Sequence, residues 1–323
     1  MLSFRDGYLL SFDNKPTVIR LDSGLKEVWR KDLQAGQVRY VSCKVRANED
    51  GSLIALSGYN DVRIYDGNGQ LRWTFTHEPW ESFAGASCFF SHGNQLLWLI
   101  APGDHDRVYV ARTSDFAMVD SCMMGGDQVY HYNFLPTPDP EKILIEAAAG
   151  QDDCLLYQVQ LKDDKIILDT LHSCNDRIAG NFSSNGQELA TAPHYSEGIE
   201  VFSFPSFTRS AQLEQDDLFH QAPGYPEDAL EYRVLFLNDT TLVALTRYSR
   251  LLLIDRHTMN CTGELLAEGN DIKAYDENGE ITTDPAAIVE YMGEITQVQL
   301  DRQHRLMITF DSGDIRWYEI PVL

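Results

Sequence analysis

Between residues 50 and 75 the chain alternates apolar and polar positions in short runs. Leu53-Ile54-Ala55-Leu56-Ser57, Val62-Arg63-Ile64-Tyr65-Asp66 and Leu71-Arg72-Trp73-Thr74-Phe75 predict three strands. The last two carry the period of two expected where one face is buried. Asp50-Gly51, Asn60-Asp61 and Gly67-Asn68-Gly69 punctuate them with residues that tolerate positive φ or bond their own backbone. With Val41-Ser42-Cys43-Lys44-Val45 in front, the stretch predicts a four-stranded antiparallel meander.

The pattern recurs. Relatives of the third strand start at Val18, Val62, Val108, Leu155, Ile199, Leu251 and Ile315, at intervals of 44, 46, 47, 44, 52 and 64 residues. A period in the mid-forties with four strands per unit predicts a β-propeller, and seven copies predict seven blades. One such sheet cannot bury both its faces, whereas stacked sheets can. The expected fold is all-β, one seven-bladed propeller domain over residues 1–323. Residues 1–6 are expected as the inner strand of the first blade or as the outer strand that closes the last.

The period, with the aromatic-acidic pairs Tyr65-Asp66 and Tyr318-Glu319, resembles WD40-type propellers, and His77 after Phe75 resembles a remnant of that family's Gly-His pair. Residues 21–29 (LDSGLKEVW) and 65–73 (YDGNGQLRW) look like the Gly…Trp segments of quinoprotein-like propellers, a feature confined to the first two blades. Both resemblances imply a propeller.

Composition narrows the function classes. Twenty-six Lys and Arg against 49 Asp and Glu give a net charge of −23, which repels phosphate backbones and disfavours nucleic acid as a partner. No apolar run reaches the length of a membrane span, and the first residues, MLSFRDGYLLSFDN, interrupt any signal-like apolar run with a charged pair. No membrane association, a cytoplasmic location and a monomer on its own are expected. Six scattered cysteines form no CxxC pair and read as small core residues.

Two segments break the period, and both are acidic. Residues 214–231 (EQDDLFHQAPGYPEDALE) hold six acids and no Lys or Arg, with Pro223, Gly224 and Pro226 expected to keep the middle irregular. Residues 264–294 hold nine acids and one base, Lys273. There Asn278-Gly279, between 272–275 and 281–283, predicts a short hairpin. Asp284 as N-cap and Pro285 at the first position predict a short helix over 286–291. The insertions carry −6 and −8, hence −14 of the net −23.

These insertions supply the candidate binding surface: Asp216, Asp217, Phe219, Tyr225, Glu227 and Asp228 in one, and Tyr275, Asp276, Glu277, Glu280 and Asp284 in the other. Acids around aromatic anchors fit a protein-binding patch, and long loops on a compact fold are often functional. A solvated acidic surface that confers only solubility is the plainer alternative. Asp276-Glu277-Asn278-Gly279-Glu280-Ile281 resembles part of a calcium loop, but the register puts Ala274 and Pro285 at ligand positions, so a hairpin turn explains it better. Asp104-His105-Asp106 offers an imidazole between carboxylates and is also ordinary turn chemistry. His131, between Tyr130 and Tyr132 on an expected inner strand, reads first as a packed histidine. Trp29 and Trp73 read as packing between blades. HExxH, GxSxG and phosphate-loop patterns are absent from the sequence.

The expectation is a non-catalytic propeller with no cofactor, binding a basic protein partner through its acidic insertions. One concrete form is an intracellular inhibitor, such as an immunity protein that neutralises a cationic toxin, for example a nuclease. The alternative is an enzyme or small-ligand binder of the lactonase, lyase or glycosidase kind, working in the central channel with carboxylates or imidazoles converging from several blades.

Overall fold

The computed structural model describes all residues except 1, 5–6, 13–14, 25, 33–43, 81–86, 92, 126–129, 150–152, 195–196, 223, 283–286, 302 and 321–323. Its internal contacts divide the chain into two compact units, Met1–His172 and Ser173–Leu323.

The first unit holds four sheets, each with its strands in chain order. The first sheet is β1 (Leu2–Phe4), β2 (Gly7–Phe12), β3 (Lys15–Asp22) and β4 (Glu27–Asp32). The second is β5 (Lys44–Ala47), β6 (Leu53–Ser57), β7 (Asp61–Asp66) and β8 (Leu71–Thr76). The third is β9 (Cys88–Ser91), β10 (Leu96–Ala101), β11 (Arg107–Arg112) and β12 (Met118–Met123). The fourth is β13 (His131–Pro136), β14 (Lys142–Ala149), β15 (Asp153–Lys162) and β16 (Lys165–Thr170).

The second unit continues with β17 (Arg177–Phe182), β18 (Glu188–Pro193), β19 (Ile199–Ser203) and β20 (Thr208–Leu213). Helix α1 (Gln215–Gln221) follows, then the sheet β21 (Leu230–Phe236), β22 (Thr241–Thr246), β23 (Leu251–Asp255) and β24 (Asn260–Leu265). A two-stranded sheet, β25 (Asp271–Tyr275) with β26 (Ile288–Met292), precedes the last sheet, β27 (Ile295–Leu300), β28 (Leu306–Phe310) and β29 (Ile315–Tyr318). That last blade has three strands among the described residues.

All seven predicted repeat strands fall on the third strand of their sheets. Second strands differ. β10 (LLWLIA), β18 (ELATAP) and β22 (TLVALT) are buried at every position after the first, because sheets cover both their faces. Fourth strands such as β8 and β24 are the most exposed. Between third and fourth strands the register slips at Arg20/Leu21, Ile64/Tyr65, Val110/Ala111, Val201/Phe202 and Leu253/Ile254. Such a bulge adds local twist, and its recurrence marks the same device copied from blade to blade.

Neighbouring sheets lock through specific side chains. Trp29 Nε1 donates to the Gly67 carbonyl at 3.0 Å, joining the first two sheets. Trp73 stacks on Phe116 of the third, with ring centroids 5.2 Å apart. In the second unit Asn181 exchanges two hydrogen bonds with the Phe236 backbone, at 3.0 and 2.6 Å. Both tryptophans therefore pack between blades, as their spacing predicts.

Two expectations need correction, and one open alternative is resolved. The first strand of the second blade runs over Lys44–Ala47 rather than 41–45, with residues 41–43 outside the described set. Residues 2–4 pair with β2 of the first sheet, the first of the two alternatives. The helix expected over 286–291 is absent from its described part: Ile288–Met292 is strand, paired with β25. The α-helix of the insertions lies instead in the first one, as α1.

Candidate functional site

The first acidic insertion folds back onto its own blades. Helix α1 seats Leu218, fully buried, and carries Asp216 and Asp217 in its first turn, where carboxylates suit the positive end of the helix dipole. Its glutamines pin it at both ends: Gln215 Oε1 accepts from Leu230 N at 3.0 Å, and Gln221 Oε1 from Cys261 N at 2.8 Å. Beyond α1, Tyr248 Oη donates to the Pro226 carbonyl at 2.8 Å and Arg247 to that of Glu227 at 3.1 Å. Asp216, Asp217 and Glu227 are exposed, while Phe219 and Tyr225 are half-buried.

The second insertion rises from a pinched neck. Gly269 and Gly293 both hold positive φ, +98° and +73°, and a Cβ on Gly293 would lie 2.2 Å from the Gly269 carbonyl oxygen. Tyr318 Oη accepts from Glu268 N at 2.9 Å, and Ser249 Oγ accepts from Ile295 N at 2.8 Å. Above the neck, β25 and β26 pair from Asp271↔Met292 to Tyr275↔Ile288. Asp276 closes the tip: its carboxylate accepts from the amides of Asn278 and Glu280, both at 2.9 Å, and Gly279 takes φ +82°. These bonds to the backbone, that of Glu280 foremost, hold its carboxyl below the ordinary range. The tight turn predicted at Asn278-Gly279 is present, and Tyr275 bridges Ile281 across it.

The two insertions touch. Tyr225 Oη donates to the Ile272 carbonyl at 3.3 Å. Arg250 ties the first insertion to the blade strand β24, with Nη1 3.0 Å from Asp228 Oδ2 and Nη2 3.0 Å from Glu264 Oε2. Burial works against the Arg250 charge, but the hydrogen bonds to Glu264 and Asp228 and their attraction outweigh it, and its pKa is raised. Gly224 leaves room for the guanidinium: a Cβ there would lie 2.2 Å from Arg250 Nη1 and displace it. The Asp228 side chain is 1% exposed, so its carboxylate serves the clasp and does not face solvent.

Of the remaining candidates, Glu277 and Glu280 are exposed, Tyr275 and Asp276 are half-buried, and Asp284 lies outside the described residues. Sequence reasoning overlooked Arg250, whose partners lie 22 and 14 residues away. It also overlooked four exposed apolar side chains of the second insertion: Leu266 (80%), Ile281 (73%), Ile288 (66%) and Met292 (67%). Their signal was present as apolar residues inside an acidic segment.

Elsewhere the candidate groups have structural tasks. Asp106 accepts from Tyr132 Oη at 2.7 Å, while Asp104 and His105 are exposed. The first strands of the second and fourth sheets meet through Lys44, which donates to the Tyr132 carbonyl at 2.5 Å, and Arg46, which donates to Asn133 Oδ1 at 2.8 Å. His131 lies there half-buried, its pKa lowered by burial and then by Lys44. Burial pushes the Cys88 thiol up to about 11. Cys43 lies outside the described residues, and Cys88, Cys122, Cys174 and Cys261 are free thiols. Among the described residues no group of three or more His, Cys, Asp and Glu is placed to hold a metal ion. No helix among them is long and apolar enough to cross a membrane.

The repeated antiparallel sheets define a seven-bladed β-propeller. No family model and no curated protein sequence matches the chain. Solved structures do. BamB from Moraxella catarrhalis aligns over 100% of this chain and 94% of its own, with TM-score 0.59 and 14% identity. U3-55K aligns over 94% of this chain and 91% of its own, with TM-score 0.56 and 12% identity. The dihydro-heme d1 dehydrogenase NirN, solved in complex with DHE, aligns over 96% of this chain and 69% of its own, with TM-score 0.55 and 13% identity. At such identities the likeness establishes the fold alone. A propeller is suited in general to act as a rigid scaffold for protein contacts.

Proposed function

We propose that this protein is a non-catalytic propeller that captures a basic protein partner through its two acidic insertions. The observation that carries this reading is the contact between them, Tyr225 to Ile272, which sets two carboxylate-rich segments beside each other, while Arg250 holds Asp228 of the first against Glu264 of β24. Asp216, Asp217, Glu227, Glu277 and Glu280 remain exposed for a cationic surface, with Leu266, Ile281, Ile288 and Met292 as apolar contacts. Asp228 has the separate task of holding the first insertion to β24 through Arg250. Acids that steer and apolar groups that desolvate are the combination expected of a fast and specific interface. An intracellular inhibitor or immunity protein covering the nucleic-acid-binding face of a cationic toxin is the concrete form we favour, because carboxylates imitate the charge of the phosphates such a face binds.

Affinity capture from the native source at about 50 and 500 mM salt tests the reading, since the Debye length contracts from about 14 to about 4 Å over that range. A basic protein recovered at low salt, and lost when Glu277 and Glu280 are changed to Gln, supports it. Recovery of only neutral or acidic proteins, or recovery indifferent to salt, rules it out.

A further inference from the structure

Among the described residues no strand pairs with the outer side of β26. Two hydrogen bonds fix which way its backbone groups point. The Ile272 carbonyl accepts from Tyr225 Oη at 3.3 Å, and the Ala274 carbonyl from Thr282 N at 2.9 Å, so both turn away from β26. Backbone groups of an antiparallel pair alternate, so the hydrogen-bonded partners are the residues between: Asp271 with Met292, Lys273 with Glu290 and Tyr275 with Ile288. On β26, Val289 and Tyr291 therefore turn their N–H and C=O groups outward, where no described strand pairs with them.

The same alternation places Ile288, Glu290 and Met292 on one face, and all three are exposed, the apolar pair at 66% and 67%. Open edges are ordinarily blunted by Lys, Pro or a bulge. Ile288-Val289-Glu290-Tyr291-Met292 has no Lys or Pro, and its pairing with β25 runs without a register shift. A two-stranded sheet is also marginal by itself and gains from a third strand.

We propose that the outer edge of β26 accepts an extended segment of the basic partner, with the side-chain pattern apolar, any residue, Lys or Arg, any residue, apolar. The inference rests on the reading of the acidic insertions as the partner site and deepens it by naming the recognised element. The added strand's backbone bonds Val289 and Tyr291. Its basic side chain lies beside Glu290, whose neighbour on the inner side, Lys273, is already ion-paired with Asp271, and its apolar side chains cover Ile288 and Met292. Charge argues against a second copy of this chain as occupant. Antiparallel self-pairing centred on residue 290 sets Glu290 against Glu290, between two chains of net charge −23 each.

The test uses the full chain and a fluorescein-labelled peptide, TVTKTVT, read by anisotropy at low and high salt. One comparison peptide carries N-methyl groups on alternate amides, which removes backbone donors and keeps charge and side chains. Val289→Pro removes an outward N–H from the protein without touching the pairs to β25. Binding should fall about tenfold with the methylated peptide and with Val289→Pro, the equivalent of one or two backbone hydrogen bonds. Glu290→Lys should abolish the salt-sensitive part. If methylated and plain peptides bind alike and salt weakens both, the insertions capture charge without adding a strand: the edge inference falls and the basic-partner reading stands. Binding sensitive to methylation but indifferent to salt and to Glu290→Lys leaves the edge and removes the basic partner. If no peptide binds, the inference is overturned, as it is if the chain dimerises in a Val289→Pro-sensitive way.

Discussion

Replacing Arg250 by Met keeps most of the side-chain volume and deletes the charge that ties the first insertion to β24. The magnitude follows from burial. The Asp228 side chain is 1% exposed and that of Arg250 7%, so neither carboxylate nor guanidinium is well solvated. Removing one partner of such a pair leaves a buried charge uncompensated, at a cost of about 3–5 kcal/mol. Glu264 is 29% exposed and better screened, and its share is at most about 1 kcal/mol. Because the loss is local, hydrogen exchange is the appropriate assay. Amides of residues 224–229 should exchange roughly 10²- to 10⁴-fold faster, while β10 and β14 in the other unit should not change. Asp228→Asn should cost less, about 1–3 kcal/mol, because Arg250 keeps Glu264 and the amide still fits. The double variant Arg250→Met with Asp228→Asn should be less destabilised than Arg250→Met alone, since no buried anion is stranded. Unchanged exchange in Arg250→Met, or strict additivity in the double variant, would refute the clasp.

Three further outcomes are expected. Gly293→Ala forces a Cβ to within 2.2 Å of the Gly269 carbonyl oxygen at φ +73°, and should cost roughly 2–4 kcal/mol, read as lost protection in β25 and β26 with the blades intact. Trp73→Ala removes the stack on Phe116 at 5.2 Å and on Phe75 at 6.0 Å; Trp73 is half-exposed, so the loss should be roughly 2–3 kcal/mol by denaturant melting. Glu188 sets a pH dependence: burial alone would raise its carboxyl, but hydrogen bonds from Arg256 and Ser210 more than reverse this and hold it below the ordinary value of 4.5. A depressed carboxyl contributes stability above its unfolded pKa, lost as pH falls through the folded one. Melts from pH 6 to 3 should show an acid-side loss in the native protein that is smaller in Glu188→Gln.

The repeat was legible because third strands such as β7 and β11 keep buried positions alternating with partly exposed ones. Val62-Arg63-Ile64-Tyr65-Asp66 is buried at Val62, Ile64 and Tyr65. Second strands such as Leu96-Leu97-Trp98-Leu99-Ile100 are covered on both faces, so their apolar runs announce burial but no period. The sites were legible in part. Acid density and the Asn278-Gly279 turn pointed to the insertions, because both are local properties of sequence. Arg250 was not legible, since nothing near it in the chain hints at carboxylates 22 and 14 residues away.

The misread helix shows which force decides in the second insertion. Asp284 and Pro285 are sound helix-start signals, but a helix needs residues that favour it over the next turn. Ile288-Val289-Glu290-Tyr291-Met292 supplies β-branched and aromatic side chains instead, and β25 offers a partner at fixed distance because the glycine neck at 269 and 293 brings the chain back. Pairing satisfies the backbone of residues 271, 273 and 275, and sends Ile288 and Met292 outward. Had the segment been helical, its backbone groups would have been satisfied within itself, leaving no edge to offer. As strand it turns the backbone groups of Val289 and Tyr291 to a side where no described strand pairs with them, beside the exposed Ile288 and Met292. The departure from the helix signal is thus what gives this acidic outgrowth a strand edge in place of a self-satisfied helix.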